Sequence, residues 1–431
     1  MATQLEAAQK NIITPQMEQA AKFEDLDPQT LCELVAQGKV VLPYNPKHAP
    51  QTIRAIGKQT RVKVNVNLGT SPDLNNFELE MEKLKLAHEL KADAVMDLSI
   101  GSNLAEIRAR IIEQSQLPVG TVPVYETFDL ARQRKDDLTS IKPAHFLETI
   151  KHQAKAGVDF MTIHAGINKI SLHRLNQSPR ILGIVSRGGS LLASWMQLTK
   201  QENPLYSYFA EILDIALEYD VTLSLGDALR PGCIHDATDA AQIEELIILG
   251  ELANQARQKG VQVMIEGPGH VNLADIPLNM KLQNSICNQA PFYVLGPVVC
   301  DVAPGYDHIT AAIGGSLAAL SGADFLCYVT PAEHIRLPNL DDVRQGIIAT
   351  KIAAFSADLA QGKQYAVNHN KQMALARAKL DWPNMTYLAL DPKPLLQEGL
   401  NKNIAKQTCS MCGDLCAIKI FQQGLAKIID N

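Results

Sequence analysis

Near the C-terminus stand three cysteines within eight residues, Cys409, Cys412 and Cys416, spaced C-x2-C-x3-C in CSMCGDLC. Thiols this close together call for a metal. The tail holds no fourth cysteine or histidine nearby to complete a tetrahedral zinc site. A [4Fe–4S] cluster with one open iron takes three protein thiolates. That iron can chelate the amino and carboxylate groups of S-adenosylmethionine, whose reductive cleavage yields a carbon radical. A zinc knuckle finished by a distant ligand is the competing reading. The common radical-enzyme order, C-x3-C-x2-C near the N-terminus, is here reversed and C-terminal. The other five cysteines, Cys32, Cys233, Cys287, Cys300 and Cys327, are scattered singly.

A second set of chemistry-bearing residues follows short apolar runs. Glu266-Gly-Pro-Gly-His270 puts an acid and an imidazole on either side of a rigid turn, and His334 follows in YVTPAEH. Two neutral imidazoles suit a divalent zinc or iron ion; His308 competes as a ligand or is a satisfied structural histidine. Ser186-Arg187-Gly188-Gly189 can form a backbone nest for phosphate. Asp227 and Arg230 offer a carboxylate and a guanidinium three residues apart, able to clamp a polar ring or its phosphate. Asn67, Asp97, Ser99, Tyr125, His164 and Thr330 stand at similar places. A lone Asn or Asp after a strand is commonly a helix cap; seven or eight strands ending this way is harder to ascribe to capping.

These residues must be positioned by the runs before them. VKVNVNL (62–68), AVMDLS (94–99), VGTVPV (119–124), FMTIHA (160–165), GIVS (183–186), VTLSLGD (221–227), VQVMIEG (261–267), FYVLG (292–296) and FLCYVT (325–330) read as strands. Amphipathic stretches such as 77–92 and 240–260 lie between them. Alternating strand and helix means a parallel sheet, and eight such units over about 270 residues fit a (β/α)8 barrel, with a doubly wound sheet as the alternative. Nine candidates for eight places leave one in excess. The expected organisation is a helical and loop region over 1–60, a catalytic barrel over 61–335, a helical region over 336–400 and a cluster-bearing arm over 401–431. In a barrel the strand ends ring one mouth, where active sites lie.

The composition permits this reading and excludes others. With 46% hydrophobic and 20% charged residues, a full core can be buried. A net charge of −6 makes no case for nucleic acid or an anionic membrane. The first residues lack the layout of a signal peptide, and no apolar run approaches the roughly 18 residues of a membrane span. A cytoplasmic location is expected, where disulfides are rare.

Taken together, ITPQME, MDLS, GTVPVY, TIHAG, GIVSRGGS, VQVMIEGPGHV, APFYVLGP, APGYDHIT, YVTPAEH and CSMCG resemble the thiamin pyrimidine synthase family of radical S-adenosylmethionine enzymes, across about residues 10–420. The resemblance implies a barrel, a homodimer, and an arm carrying the cluster over the barrel mouth. It implies 5-aminoimidazole ribotide as substrate and an electron donor such as flavodoxin or ferredoxin. The substrate positions implied are Asn67, Met96, Tyr125, His164, Ser186, Arg187, Gly188, Asp227, Ala228, Leu229, Arg230, Glu266 and Tyr293; beside that, Glu266 next to the metal is the expected acid–base or radical-relay residue. The implied metal histidines are His270 and His334, and the implied cluster ligands Cys409, Cys412 and Cys416.

Four phrases depart from the common family pattern: GDALRPG, MDLSI, LPYNPKH and CDVAPGYDH, where many members read GDGLRPG, MDLST, IPAN and TDIAPGYDH. Altered groups beside an unaltered substrate scaffold suggest a different fate for the same radical. The leading expectation is therefore a carbon–carbon lyase forming 5-hydroxybenzimidazole, a precursor of the cobamide lower ligand. The alternative product is 4-amino-5-hydroxymethyl-2-methylpyrimidine phosphate for thiamin. A barrel metal hydrolase and a non-catalytic metabolite-binding protein are the more remote readings.

Overall fold

The computed structural model describes residues 2–72, 76–135, 137–397, 408–409 and 411–429. It divides into two compact units, Met1–Asp358 and Leu359–Asn431. The first is built on eight parallel strands: β1 (Lys63–Leu68), β2 (Ala94–Asp97), β3 (Val119–Thr121), β4 (Phe160–Ile163), β5 (Thr222–Leu225), β6 (Val263–Gly267), β7 (Phe292–Leu295) and β8 (Phe325–Cys327). Each pairs with the next, and β8 returns to β1 with Asn65 opposite Cys327, so the sheet closes into a barrel. The excess strand candidate is GIVS. Residues 183–186 pair with nothing in the sheet and lead straight into the helix Arg187–Thr199. Ser186 serves there as N-cap, accepting from Gly189 N at 3.2 Å, and Gly183 adopts a φ of 64° that a strand would not allow.

Short strands close a barrel only if large side chains fill it, and here aromatic rings do so. Phe160 and Phe325 meet edge to face at 6.3 Å, and Tyr293 stacks on Phe325 at 4.3 Å. Room for two of the rings comes from glycines on neighbouring strands. A Cβ at Gly120 would fall 2.3 Å from Phe160, and one at Gly267 would fall 2.2 Å from Phe292.

The N-terminal ends of the strands are covered by residues before Lys63. Three short helices, Gln4–Gln9, Pro15–Glu24 and Pro28–Ala36, are each capped by the side chain before them, Thr3, Thr14 and Asp27. They share a small core of their own around Met17, Leu31 and Val35. The bond to the barrel is polar. Lys63 Nζ meets Glu24 Oε1 at 2.9 Å, both side chains fully buried. Gln262 bonds both the N–H and the C=O of Leu42. Asp159, fully buried, accepts from Asn45 N, Val119 N and His48 Nδ1, while His48 Nε2 lies 3.0 Å from Ser115 O. LPYNPKH (42–48) thus belongs to this closed end of the barrel.

The second unit contains the helices Gln364–Ala378, Trp382–Leu388 and Lys393–Gln397, a single 3-10 turn over Gly413–Leu415 and a last helix, Ala417–Ile429. His369 Nε2 lies 2.7 Å from Leu388 O, joining the first two. Of the expected arm, residues 401–407, 410 and 430–431 lie outside the described residues. No described helix is long and apolar enough to cross a membrane.

Removing one partner of a buried ion pair strands the other. His48→Ala should therefore cost roughly 3–5 kcal/mol, read as a lowered denaturant midpoint. An unchanged midpoint would show that Asp159 is satisfied without the imidazole.

Candidate active site

The C-terminal ends of the strands surround a cavity of about 320 Å³. Nine of the expected substrate positions line it: Asn67, Met96, Tyr125, His164, Arg187, Asp227, Arg230, Glu266 and Tyr293. Strand register explains the convergence. Asn67 stands opposite Met96 and Glu266 opposite Tyr293, so neighbouring strands present these side chains at the same level. Ser186, Gly188, Ala228 and Leu229 do not line the cavity; they shape its wall. Ser186 and Ala228 are fully buried, and Gly188 opens the helix Arg187–Thr199, with its N–H groups at the positive end of the helix dipole.

Close approach requires the glycines here. A Cβ at Gly188 would lie 2.5 Å from the His164 ring, and one at Gly189 would lie 2.4 Å from Ala228 O. His164 is thereby pressed between the helix start and the sheet, 2% exposed. Its Nε2 lies 3.3 Å from Ser186 Oγ, and its Nδ1 has no partner. Burial, reinforced by the Arg230 charge, lowers its pKa to about 3.

Asp227 and Glu266 share the cavity with the Arg230 guanidinium, beside Glu333 and Arg187. Arg230 Nη1 donates to Asp227 Oδ1 at 3.2 Å. Glu266 Oε1 accepts from Thr162 Oγ1 at 2.7 Å and Ser224 Oγ at 2.8 Å. Burial raises the pKa of both acids; Arg230 opposes this at Asp227, and the two hydroxyls oppose it at Glu266. Acids that burial pushes toward the protonated form suit a site for acid–base work. Tyr125 lies under the Arg187 guanidinium, 5.1 Å from ring centroid to Cζ. Burial pushes its phenol upward, and pushes that of Tyr293 well upward.

Sequence reasoning missed several contributors. Asn65 donates to Tyr293 Oη at 2.8 Å, and Asn67 donates to Cys327 Sγ at 3.2 Å. Cys327 and Glu333 both line the cavity, and burial raises the Cys327 thiol to about 11. A usable signal was present for two of them. Asn65 and Thr162 precede Asn67 and His164 by two residues, so each shares a barrel face with a residue already singled out.

His270 and His334 come together beside the mouth, ring centroids 5.5 Å apart. His270 extends from β6 through a bridge to Val298. His334 adopts φ 61°, a conformation costly for a non-glycine residue. Each Nδ1 faces a carboxylate, Asp301 Oδ1 at 2.9 Å and Asp307 Oδ1 at 3.3 Å. Burial, against the pull of Asp301, keeps His270 below the usual histidine range and so neutral. This donor set fits a divalent ion, the carboxylates fixing the tautomers that leave both Nε2 atoms for the metal. Among the described residues, no three His, Cys, Asp or Glu side chains form a metal-holding group.

In the second unit Cys409, Cys412 and Cys416 stand around the 3-10 turn, closed by Gly413 N donating to Cys409 O and Leu415 N to Cys412 O. Backbone N–H groups of Cys412 and Met411 hold the Cys409 thiol below its usual pKa. Three free thiols on one turn fit a cluster with an open iron.

A model of the radical SAM ThiC family matches residues 3–423. The chain belongs to this family. A Pelotomaculum thermopropionicum protein named phosphomethylpyrimidine synthase is 54% identical over 426 residues, 99% of this chain and 98% of that one. Proteins of the same name from Clostridium botulinum and Caldanaerobacter subterraneus are each 51% identical, covering 97% and 98% of this chain and 95% and 98% of their own. A dihydropteroate synthase from Xanthomonas albilineans overlays with a TM-score of 0.42 at 14% identity, over 74% of this chain and 98% of that one, too loose a likeness to carry an inference. Membership implies a [4Fe–4S] cluster and S-adenosylmethionine, and it supersedes the hydrolase and binding-protein readings. The expected hydroxybenzimidazole product finds no support among these relatives. The departures that suggested it do not line the cavity. Ala228 and Ile100 do not line it, and Ala228 stands outside the left-handed region, so its Cβ costs no strain. Cys300 is also absent from the lining, and Asn45 and His48 tie down the opposite end of the barrel.

A histidine pinned neutral gives a pH signature. The imidazole resonances of His164 should not titrate between pH 8 and pH 5. Because its folded pKa lies below the unfolded value, the unfolded chain binds the extra proton first. His164 therefore lowers stability as pH falls from about 6.5 toward 3. A titration midpoint near the ordinary histidine value would overturn the packing just described.

Proposed function

We propose that this enzyme converts 5-aminoimidazole ribotide to 4-amino-5-hydroxymethyl-2-methylpyrimidine phosphate, the reaction of a phosphomethylpyrimidine synthase. What carries the reading is the name shared by relatives 51–54% identical over nearly the entire chain. The polar cavity at the barrel mouth supports it. When bound through Cys409, Cys412 and Cys416, the cluster would supply the electron that cleaves S-adenosylmethionine to a hydrogen-abstracting carbon radical.

The rest falls to the residues around the cavity. Arg187 and the start of its helix receive the ribotide phosphate, where helix dipole and guanidinium both favour an anion. Asp227 and Arg230 orient the polar ring system. His164, neutral, contributes a hydrogen bond without adding positive charge. Tyr125 and Tyr293 flank the ring, and Asn67 and Met96 set its depth. Glu266, pushed toward its protonated form by burial and fixed in orientation by Thr162 and Ser224, gives and takes protons as the carbon skeleton rearranges. His270 and His334 would hold a divalent ion beside it, able to polarise an oxygen of the substrate.

Anaerobic turnover of the reconstituted enzyme with aminoimidazole ribotide, S-adenosylmethionine and dithionite, read by mass spectrometry, should give the pyrimidine phosphate. Formation of 5-hydroxybenzimidazole would overturn the assignment. Cys412→Ala should abolish cleavage of S-adenosylmethionine and cut cluster iron, with the barrel still folded. Cleavage persisting at the wild-type rate would remove these thiols from the cluster.

A further inference from the structure

Behind the cavity wall lies a buried acid that neither the motifs nor the proposed mechanism uses. Glu245 comes from the long outer helix Ala240–Lys259, not from a strand end, and is 2% exposed. Its Oε2 accepts from Leu229 N at 2.8 Å, and the N–H of Ala228 adds to the same carboxyl group. The acid therefore grips the turn that carries Asp227 and Arg230, from the side away from the cavity. It also reaches the loop after β4. A Cβ at Gly166 would fall 2.7 Å from Glu245 Cγ and 3.1 Å from its Oε1, so this glycine makes room for the acid two residues beyond His164.

Glu245 faces Asp227, Arg230 and Glu266 across a pocket of about 20 Å³, room for one water. Glu245 Oε1 and Asp227 Oδ2 are both buried without a partner. Two unpartnered carboxyl oxygens bordering one small pocket cannot both stay ionised at acceptable cost. Burial, followed by the Asp227 charge, raises the Glu245 pKa well above the usual range, against the two turn N–H groups and Arg180, and so favours the neutral acid. In that form one oxygen accepts from the turn while the O–H can donate toward Asp227, directly or through a water.

We propose that Glu245 is a positioning residue that shapes the 227–230 turn for substrate, holding its backbone from behind. The idea rests on the ribotide reading only for the identity of the ligand. A neutral acid predicts that glutamine replaces it, since the amide accepts through its oxygen and donates through its nitrogen, whereas leucine fills the volume but can do neither.

The test uses the full-length reconstituted enzyme and its Glu245→Gln and Glu245→Leu variants, with thermal melting to confirm that each is folded. Amide exchange at Ala228 and Leu229 reads the grip without substrate. Calorimetric binding of aminoimidazole ribotide, with KM and kcat, reads its consequence. Glu245→Leu should speed exchange at Leu229 and raise the ribotide Kd and KM about tenfold or more, with the smaller effect on kcat at saturation. Glu245→Gln should stay within about twofold of wild type in both. Unchanged exchange and affinity in folded Glu245→Leu would overturn the proposal, as would a glutamine variant as impaired as the leucine one. Faster exchange in Glu245→Leu together with a wild type that binds no ribotide would support the grip and overturn the ribotide reading instead.

Discussion

A guanidinium set into the mouth of a barrel, away from bulk water, is tolerated only beside a carboxylate, and the Arg230–Asp227 pair is the interaction on which the rest of this site turns. The pair leaves surplus acid nearby. Asp227 and Glu266 feel the charge of Arg230 and Glu245 that of Arg180, and burial drives all three acids toward the protonated form. The Arg230 charge also helps keep His164 neutral. Proton occupancy across the mouth is thus set by the balance of burial against the arginines beside these acids.

Holding such a cluster rigid takes a scaffold that does not yield. Barrel closure provides it, through aromatic rings that fill the interior beneath the site and glycines that admit them. The opposite end is sealed by the N-terminal helices, through Lys63–Glu24 and the Asp159 hub. Both ends of the barrel therefore bury charge, but to different effect. At the closed end Asp159 gathers three donors, from Asn45 N, Val119 N and His48 Nδ1. At the mouth His164 Nδ1, Asp227 Oδ2 and Glu245 Oε1 are left without partners, as befits a surface that is to meet a polar ligand.

The two histidines illustrate the same logic on a smaller scale. His270 and His334 approach one another because each is steered by its own carboxylate. Asp301 also accepts from Ile234 N in the loop after β5, which links the histidine pair to the loop that follows the substrate turn.

Much of this was legible in the sequence because it is local. Strand–helix alternation, polar residues just past each apolar run and three thiols on one turn are short-range patterns, and eight of the nine strand candidates joined the barrel. GIVS misled because four apolar and small residues read alike whether they pair or only lead into a helix, and hydrogen-bonding partners are not written locally. The reading of Ala228, Ile100, Cys300 and 42–48 as product determinants misled for a related reason. A residue's neighbours in sequence do not say whether it faces the cavity, its wall or the far end of the barrel. Convergence belonged to the tertiary structure alone. Strand pairing brings Thr162 and Ser224 to Glu266, closure of the sheet brings Cys327 to Asn67, and helix packing puts Glu245 behind the substrate turn, contacts between segments whose separation along the chain carries no periodic signal.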